Sequence, residues 1–166
     1  MRIRSPLPSD RAQLIDIISQ GAGFRSAEIE CAIELLDAAL APADDEPSDG
    51  EGYEARVAVS DDAGAPERVL GYACFGATPM TDGTVDLYWL VMGREVRGQG
   101  LGGALYAGLE AELKQRGVRI IRVETSSLEG QGGARRFYEK TGFRLAGAIP
   151  DFYRQGDDLL VFAKVL

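Results

Sequence analysis

The sequence predicts a single α+β domain over residues 1–166, with one mixed, mostly antiparallel sheet of about six or seven strands flanked by about four helices. Three observations favour this fold class. Helical apolar stripes occupy the first 40 residues, alternation with a period of two runs from residue 53 to residue 92, and helices and strands alternate after residue 98. Strands bracketed by helical segments are typical of a sheet that buries its faces under helices.

The N-terminal region predicts one short strand and two helices. The strand begins at Ile3, and Ser9 is the expected N-cap of the first helix, with Asp10 in its first turn. Ser26 is the expected N-cap of the second helix, which Pro42 ends. Apolar residues at helical spacing support both: Leu14, Ile15, Ile17 and Ile18 in the first, and Ile29, Ile33, Leu36 and Leu40 in the second. Residues 42–52 are acidic and rich in turn formers, which predicts a surface loop.

Three successive strands, over 53–59, 69–76 and 84–92, predict an antiparallel meander because short polar turns join them. The next segment predicts a helix with Leu101, Leu105, Leu109 and Leu113 on one face and Gly117 after its last turn. A strand over 118–125, a helix over 134–141 and strands over 143–148 and 159–165 complete the predicted domain.

The composition excludes several kinds of site. The chain has no histidine, so a Ser-His-Asp or Cys-His nucleophile and a His-ligated zinc site are excluded, and no metal is expected. A general base must then be a carboxylate, a tyrosine, a lysine or a water. The sequence shows no signal peptide and no apolar run long enough for a membrane span. Cys31 and Cys74 lie among apolar residues and are expected to be reduced core thiols, which favours the cytoplasm.

The charge of the chain is unevenly distributed. A net charge of −8 argues against a nucleic-acid partner. Residues 1–93 carry 6 basic and 17 acidic side chains, whereas residues 94–144 carry 10 basic and 6 acidic ones. This asymmetry is consistent with an anion-binding region in the second half, although basic residues that simply cover helix surfaces would give the same composition.

A glycine-rich turn over 98–103 follows the third strand of the meander and opens a helix. Glycines allow a tight turn and close approach to a ligand, and a helix N-terminus presents free N–H groups to an anion. The run also satisfies the dinucleotide fingerprint G-x-G-x-x-G, with Glu124 ending the next strand where a ribose-binding acid is expected. A dinucleotide-binding oxidoreductase is therefore an alternative. The antiparallel meander before the turn and the short chain after it disfavour this alternative.

Two motifs resemble those of the GNAT (GCN5-related) N-acetyltransferase superfamily. The run Arg97–Gly102 resembles the family's R/Q-x-x-G-x-G/A signature, and residues 134–143 resemble its A-x-x-F-Y-x-x-x-G-F segment. The resemblance implies an enzyme that uses acetyl-CoA, with the pantetheine arm on the preceding strand and the pyrophosphate on the loop amides. It places contacts to acetyl-CoA at Leu90, Val91, Met92, Arg97, Gly98, Gln99, Gly100, Leu101 and Gly102, and an adenosine or phosphate contact at Arg135 or Arg136.

The chemistry of acetyl transfer suggests further roles. By resemblance, Tyr138 lies near the thioester sulfur and protonates the leaving thiolate. Asp86 is the first candidate for the base, on the expectation that Asp86, Tyr88, Leu90 and Met92 alternate onto one strand face. An ion pair with an arginine is the structural alternative for Asp86, and Glu124 or a water is the second candidate for the base. The helical entry and the C-terminal hairpin flank the acceptor pocket in members of the family, so the resemblance implies that four residues line it: Phe24, Tyr88, Asp151 and Tyr153.

The sequence thus predicts a cytoplasmic acetyltransferase that transfers an acetyl group to a primary amine by direct attack in a ternary complex. Direct attack is expected because both cysteines are predicted to be buried. A small molecule or a protein could supply the amine, and a homodimer is possible. The alternative within the same fold is an acyl-CoA-binding domain without catalytic activity.

Overall fold

The computed structural model describes residues 1–21, 25–41, 52–61, 64, 66–128 and 132–166, and it confirms the predicted fold class. In this part of the chain seven strands form one sheet: β1 (Arg2–Arg4), β2 (Tyr53–Val59), β3 (Val69–Ala77), β4 (Thr84–Met92), β5 (Ile120–Ser126), β6 (Arg144–Arg154) and β7 (Asp157–Val165). The sheet is flanked by α1 (Arg11–Ser19), α2 (Ser26–Leu40), α3 (Leu101–Gln115) and α4 (Gly132–Lys140).

The strands lie in the order β1-β2-β3-β4-β5-β7-β6. Strands β2, β3 and β4 form the predicted antiparallel meander. Among the described strands, only β4 and β5 pair in parallel. A doubly wound dinucleotide-binding fold consists of successive parallel βαβ units, so the oxidoreductase alternative does not fit this sheet.

The two faces of the sheet have separate cores. Successive residues of β3 point alternately into the two cores: Ala73 and Phe75 belong to one core, and Tyr72 and Cys74 belong to the other. The first core packs under α3, whose predicted apolar stripe is buried at Leu105, Leu109 and Leu113, and includes α4 residues. The second core packs under α1 and α2. We call these the α3–α4 face and the α1–α2 face.

A β-bulge in β4 changes which side chains share a face. Cys74 pairs with Trp89 and Phe75 pairs with Leu87, which leaves Tyr88 as the extra residue of the bulge. Leu87 and Leu90 therefore lie on the α3–α4 face, whereas Asp86 lies on the α1–α2 face. The prediction that Asp86, Tyr88, Leu90 and Met92 share one face is wrong, because the bulge interrupts the alternation.

The N-terminal corner also differs from the prediction. Ser9 lies inside a short 3-10 turn, Pro8–Asp10, so the expectation that it caps α1 is wrong. The carboxylate of Asp10 accepts a hydrogen bond from the Leu7 backbone N–H at 2.7 Å and from both terminal nitrogens of Arg4 at 2.7 and 3.0 Å. These bonds tie β1 to the start of α1.

Strand β6 forms the far edge of the sheet. Leu145, Ile149 and Phe152 on this strand are exposed. The predicted homodimer stays a prediction.

Candidate active site

A split in the middle of the sheet creates the main cavity. Strands β4 and β5 pair only where Thr84, Val85 and Asp86 oppose Ile120, Ile121 and Arg122. Beyond Asp86, β4 continues to pair with β3 and β5 continues to pair with β7, so the inner edges of 87–92 and 123–126 face each other without pairing. The cavity between them has a volume of about 800 Å³, within the range of small-molecule sites.

Residues from both faces of the sheet line the cavity. From the α3–α4 face it is lined by the glycine-rich loop and by α4 residues that include Phe137 and Tyr138. From the α1–α2 face it is lined by Glu28, Cys31 and Leu35 of α2 and by Tyr88 and Trp89 of the bulge. Two ligands could therefore approach each other through the split from opposite faces.

The glycine-rich loop presents a row of free backbone donors. Gly98 and Gly100 have φ angles of 77° and 81°, in the left-handed region that favours glycine. Among the described residues, no acceptor receives a hydrogen bond from any of the N–H groups of residues 98–103; the first such bond along α3 runs from Ala104 N–H to Gly100 O at 3.2 Å. Six consecutive donors at the N-terminus of a 15-residue helix form a site suited to an anion.

The side chains of this loop hold its shape. Arg97 donates from Nε to Met92 O at 3.0 Å and from Nη2 to Gln20 O at 2.9 Å, which ties the loop to the end of β4 and to the residue after α1. Gln99 donates to Glu95 O at 3.0 Å and is not among the residues that line the cavity. These bonds leave the N–H groups of the loop backbone available to an anion, and Arg97 also lines the cavity.

Most of the other predicted acetyl-CoA contacts lie at the cavity. It is lined by Leu90, Val91, Met92, Arg97, Gly98, Gly100, Leu101 and Gly102. Arg135 is not among the lining residues and pairs with Glu139 at 2.9 Å on the exposed side of α4, so its contact to acetyl-CoA stays a prediction. The cation of α4 that does line the cavity is Lys140, which sequence reasoning missed.

Tyr138 lies in an aromatic cluster that borders the cavity. It is 8% exposed, and its ring lies 5.3 Å from the ring of Phe143 and 5.5 Å from that of Phe137, measured between centroids. Burial raises the pKa of Tyr138 to about 12, so its hydroxyl is protonated at neutral pH. Tyr138 is thus a buried, protonated tyrosine that lines the cavity, and its role as the acid stays a prediction.

Asp86 lines the cavity, but two neighbouring side chains already donate hydrogen bonds to its carboxylate. It is 6% exposed, and its carboxylate accepts from Arg122 Nε at 2.5 Å and from Thr78 Oγ1 at 2.9 Å. The hydrogen bond to Asp86 raises the pKa of Arg122 further above its ordinary value. The ion pair that the sequence left open as an alternative for Asp86 is therefore present.

Glu124 is the more accessible carboxylate of the pair of candidates. Its side chain is 43% exposed, and one of its oxygens lies 3.3 Å from Arg122 Nη1. Tyr153 lies nearby, and its pKa is raised by burial first and by the charge of Glu124 second. Burial, followed by the charge of Asp86, raises the pKa of Tyr88. Both tyrosines line the cavity, as the sequence predicted.

Two other predictions about the acceptor pocket have different outcomes. Asp151 has a φ of 53°, lies in the irregular stretch of β6 between Ile149 and Arg154, and accepts a hydrogen bond from Gly156 N–H at 2.6 Å; it is not among the residues that line the cavity. Phe24 lies outside the described residues.

The two cysteines differ from each other. Cys74 is buried as predicted, and burial raises the pKa of its thiol to about 12. Cys31 is exposed and lines the cavity, so the prediction that it is a core thiol is wrong. The helical pattern could have indicated this, because Cys31 lies outside the stripe formed by Ile29, Ile33, Leu36 and Leu40.

The described ranges hold no candidate metal site and no candidate membrane-spanning helix. No three His, Cys, Asp or Glu side chains there are grouped as metal ligands. No helix in the described part of the chain is long and apolar enough to cross a bilayer.

Comparison with known proteins gives a family-model match and several similar structures. Residues 26–143 match the family model described as the acetyltransferase (GNAT) family. A crystal structure from Desulfovibrio desulfuricans, described as an acetyltransferase of the GNAT family, is similar over 99% of this chain and 98% of its own, with 32% identity and a TM-score of 0.85.

Two further relatives have stated substrates. A blasticidin-S acetyltransferase from Streptomyces morookaense is 41% identical over 69 residues, which is 41% of this chain and less than half, 46%, of the relative's length. An aminoglycoside 6′-N-acetyltransferase complexed with coenzyme A shares the fold, with a TM-score of 0.70 and 20% identity over 99% of this chain and 97% of its own.

Proposed function

The chain belongs to the acetyltransferase (GNAT) family, and we propose that it transfers an acetyl group from acetyl-CoA to a primary amine by direct attack in a ternary complex. The observation that carries this proposal is the row of six free N–H groups over 98–103, which lies beside the cavity between β4 and β5. That arrangement suits a long ligand with an anionic group near one end and an extended amide chain.

Acetyl-CoA has these features. Its pyrophosphate would accept hydrogen bonds from the loop amides, and its pantetheine amides would pair with the unpaired inner edge of β4 over 87–92, as an added strand does. The thioester would then lie in the split, near Tyr138 on one side and open to the α1–α2 face on the other.

The reaction needs one base and one acid. The amine nitrogen forms a bond to the thioester carbonyl carbon, the carbon–sulfur bond breaks, and the products are an acetylated amine and coenzyme A. Tyr138, whose pKa of about 12 keeps it protonated, supplies the proton that the thiolate takes. The proton lost by the amine needs an acceptor on the other side of the split.

We assign the base to Glu124, with or without an intervening water. Asp86 was the first candidate from the sequence, but its carboxylate is buried and already accepts from Arg122 and Thr78. Glu124 is exposed to the cavity, and its second oxygen has no hydrogen-bond partner among the described residues.

Direct transfer requires a separate test because Cys31 is exposed in the cavity wall. We expect Cys31→Ser to keep its activity, and we expect mass spectrometry of the enzyme mixed with acetyl-CoA alone to show no covalent acetyl group at this residue. An acetylated Cys31 that forms and decays at the rate of turnover would replace direct attack by a two-step mechanism.

The acceptor side favours a cationic amine. Tyr88, Trp89 and Tyr153 provide aromatic surface there, and Glu124 provides negative charge. Aromatic faces and carboxylates both stabilise an ammonium group. The similarity to a blasticidin-S acetyltransferase supports a small cationic acceptor as well.

An amine panel tests the proposal. Release of coenzyme A from acetyl-CoA would be measured with polyamines, blasticidin S, aminoglycosides, amino acids and peptides with free N-termini, using Glu124→Gln as the variant. We expect at least one cationic amine to be acetylated, with a kcat that is about 10²-fold or more lower in Glu124→Gln. Tight acetyl-CoA binding without turnover of any amine would favour the acyl-CoA-binding alternative.

A further inference from the structure

Four polar groups form a continuous chain across the base of the split. Thr78 Oγ1 donates to one oxygen of Asp86 at 2.9 Å, and Arg122 Nε donates to the other at 2.5 Å. The opposite end of the same guanidinium, Nη1, lies 3.3 Å from Glu124. The chain therefore begins at the residue that follows β3 and ends at the accessible carboxylate of the cavity.

The backbone explains why these groups meet. Asp86 and Arg122 are directly opposed in the last residue pair before β4 and β5 diverge. Ile121 and Val123 point into the core on the α3–α4 face, so Arg122 and Glu124 point to the α1–α2 face, where Asp86 also lies. The register of a single parallel pair thus fixes all three charged residues on one side of the split.

The charges alternate along this chain. A buried carboxylate is costly unless it is paired, and Asp86 is satisfied by a hydroxyl and a guanidinium. A guanidinium is planar and carries donors on several edges, so Arg122 can hold Asp86 with one edge while a second edge contacts Glu124. A lysine, with one ammonium group, would not reproduce that geometry.

We propose that Arg122 is a positioning residue that orients the Glu124 carboxylate toward the acceptor amine, and that Asp86 is the buried anchor that fixes Arg122. The inference rests on the proposed function, because it gives Glu124 a role in amine acetylation. The contact at Nη1 occupies one oxygen of Glu124 and leaves the other without a hydrogen-bond partner among the described residues, in a side chain that lines the cavity. Without Arg122, Glu124 could rotate away from the amine.

The first test is a double-mutant cycle on kcat. Arg122→Gln alone is expected to lower kcat by roughly tenfold to a hundredfold, because misplacement of a catalytic group by an ångström has an effect of that size. In a Glu124→Gln background the same substitution should have almost no further effect, because the two residues act as one unit. Asp86→Asn should reproduce part of the loss, again only when Glu124 is present.

Controls separate positioning from other roles. The affinity for acetyl-CoA, measured by calorimetry, should change less than about twofold in Arg122→Gln, since the anion site lies elsewhere. Arg119→Gln, three residues away and outside the cavity lining, should keep the wild-type kcat. A higher KM for the amine with an unchanged kcat would instead make Arg122 an acceptor-binding residue and overturn the proposal. An equal loss in both backgrounds would also overturn it.

A second measurement does not depend on turnover. High-resolution crystal structures of the wild type and of Arg122→Gln should show the Glu124 side chain in one rotamer in the first and in several in the second. If every amine in the panel fails, this comparison still decides whether Arg122 orders Glu124. A single, unchanged Glu124 rotamer in both proteins would rule the positioning role out.

Discussion

At the scale of single residues, aromatic contacts hold the ring of Tyr138, and its hydroxyl is the acid that we propose. Its ring contacts Phe137, Phe143 and Phe162, with centroids 5.5, 5.3 and 6.0 Å away. Tyr138→Phe keeps these contacts and removes the proton donor, so kcat should fall by about 10²–10⁴-fold while KM for acetyl-CoA changes little. Steady-state kinetics with the best amine of the panel measures both quantities.

Tyr106 provides the matched control for that substitution. It belongs to the same aromatic core, with its ring centroid 5.5 Å from that of Phe143, but it does not line the cavity. Tyr106→Phe should therefore keep kcat. An acyl donor whose leaving thiol is more acidic needs less protonation, so it should reduce the deficit of Tyr138→Phe. Equal deficits with both donors would point to positioning rather than proton transfer.

The accuracy of a prediction for a single residue depended on whether the nearby sequence determines where that side chain lies. Tyr138 and most of the loop glycines were expected at the site and do line the cavity, because each belongs to a motif whose own residues form the helix or turn that positions it. Arg135 and Lys140 both lie on α4, and only the packing of that helix determines that Lys140 reaches the cavity. Arg122 could not be singled out, because its role depends on a residue of another strand.

At the scale of elements, the bulge in β4 is the feature that the sequence pattern could not supply. Strict alternation predicts that Asp86 lies on the same face as Leu90, but the extra residue at Tyr88 places them on opposite faces. The bulge also places Tyr88 and Trp89 where they line the acceptor side. Pairing with β3, which is a non-local property, decides this arrangement.

The loop before α3 gives a prediction about backbone conformation. At Gly100, with a φ of 81°, a β-branched side chain is strained, so Gly100→Val should rotate the neighbouring N–H groups away from the anion. The affinity for acetyl-CoA should fall at least tenfold, which is about 1.4 kcal/mol. Isothermal titration calorimetry measures this change.

Gly117 is the control, because it has a φ of 78° just beyond the other end of α3 and lies outside the cavity lining. Gly117→Val should lower the melting temperature through the same backbone strain and leave the affinity unchanged. Equal affinity losses in the two variants would mean that general destabilisation, rather than the orientation of the loop amides, weakens binding.

At the scale of the whole molecule, the sequence predicted the α+β fold and the order of its elements because each element has its own periodicity and boundaries. It could not predict the split, because residues 87–92 and 123–126 form ordinary strands in the sequence, and only their different partners keep them apart. The site is thus a property of the sheet as a unit.

The contact between Arg4 and Asp10 at the N-terminal corner lets us predict how the stability of the whole fold changes in acid. The hydrogen bond from Arg4 holds the pKa of Asp10 below its ordinary value of 3.8. A lowered pKa in the folded state stabilises the fold above pH 3.8, and this contribution is lost as the pH falls through the folded-state pKa. Urea unfolding of wild type and Asp10→Asn should therefore differ most near neutral pH and converge in acid. A constant difference down to the lowest pH would contradict the assignment.

Binding of acetyl-CoA should rigidify the molecule across the split. In the free protein the N–H groups of 98–103 have no acceptors in the described part of the chain, and those N–H groups of 87–92 that point away from β3 face the unpaired edge of the split. Both sets of amides should therefore exchange rapidly with deuterium. Bound acetyl-CoA would supply acceptors to both segments and raise the free energy of unfolding by mass action.

Hydrogen exchange read by mass spectrometry should show slower exchange at 98–103 and 87–92, with no change where β1 pairs with β2. Gly100→Val should lose the protection at 98–103 at the same ligand concentration. If saturating acetyl-CoA leaves exchange at 98–103 unchanged in the wild type, the anion is bound elsewhere and the proposed orientation of the ligand is wrong.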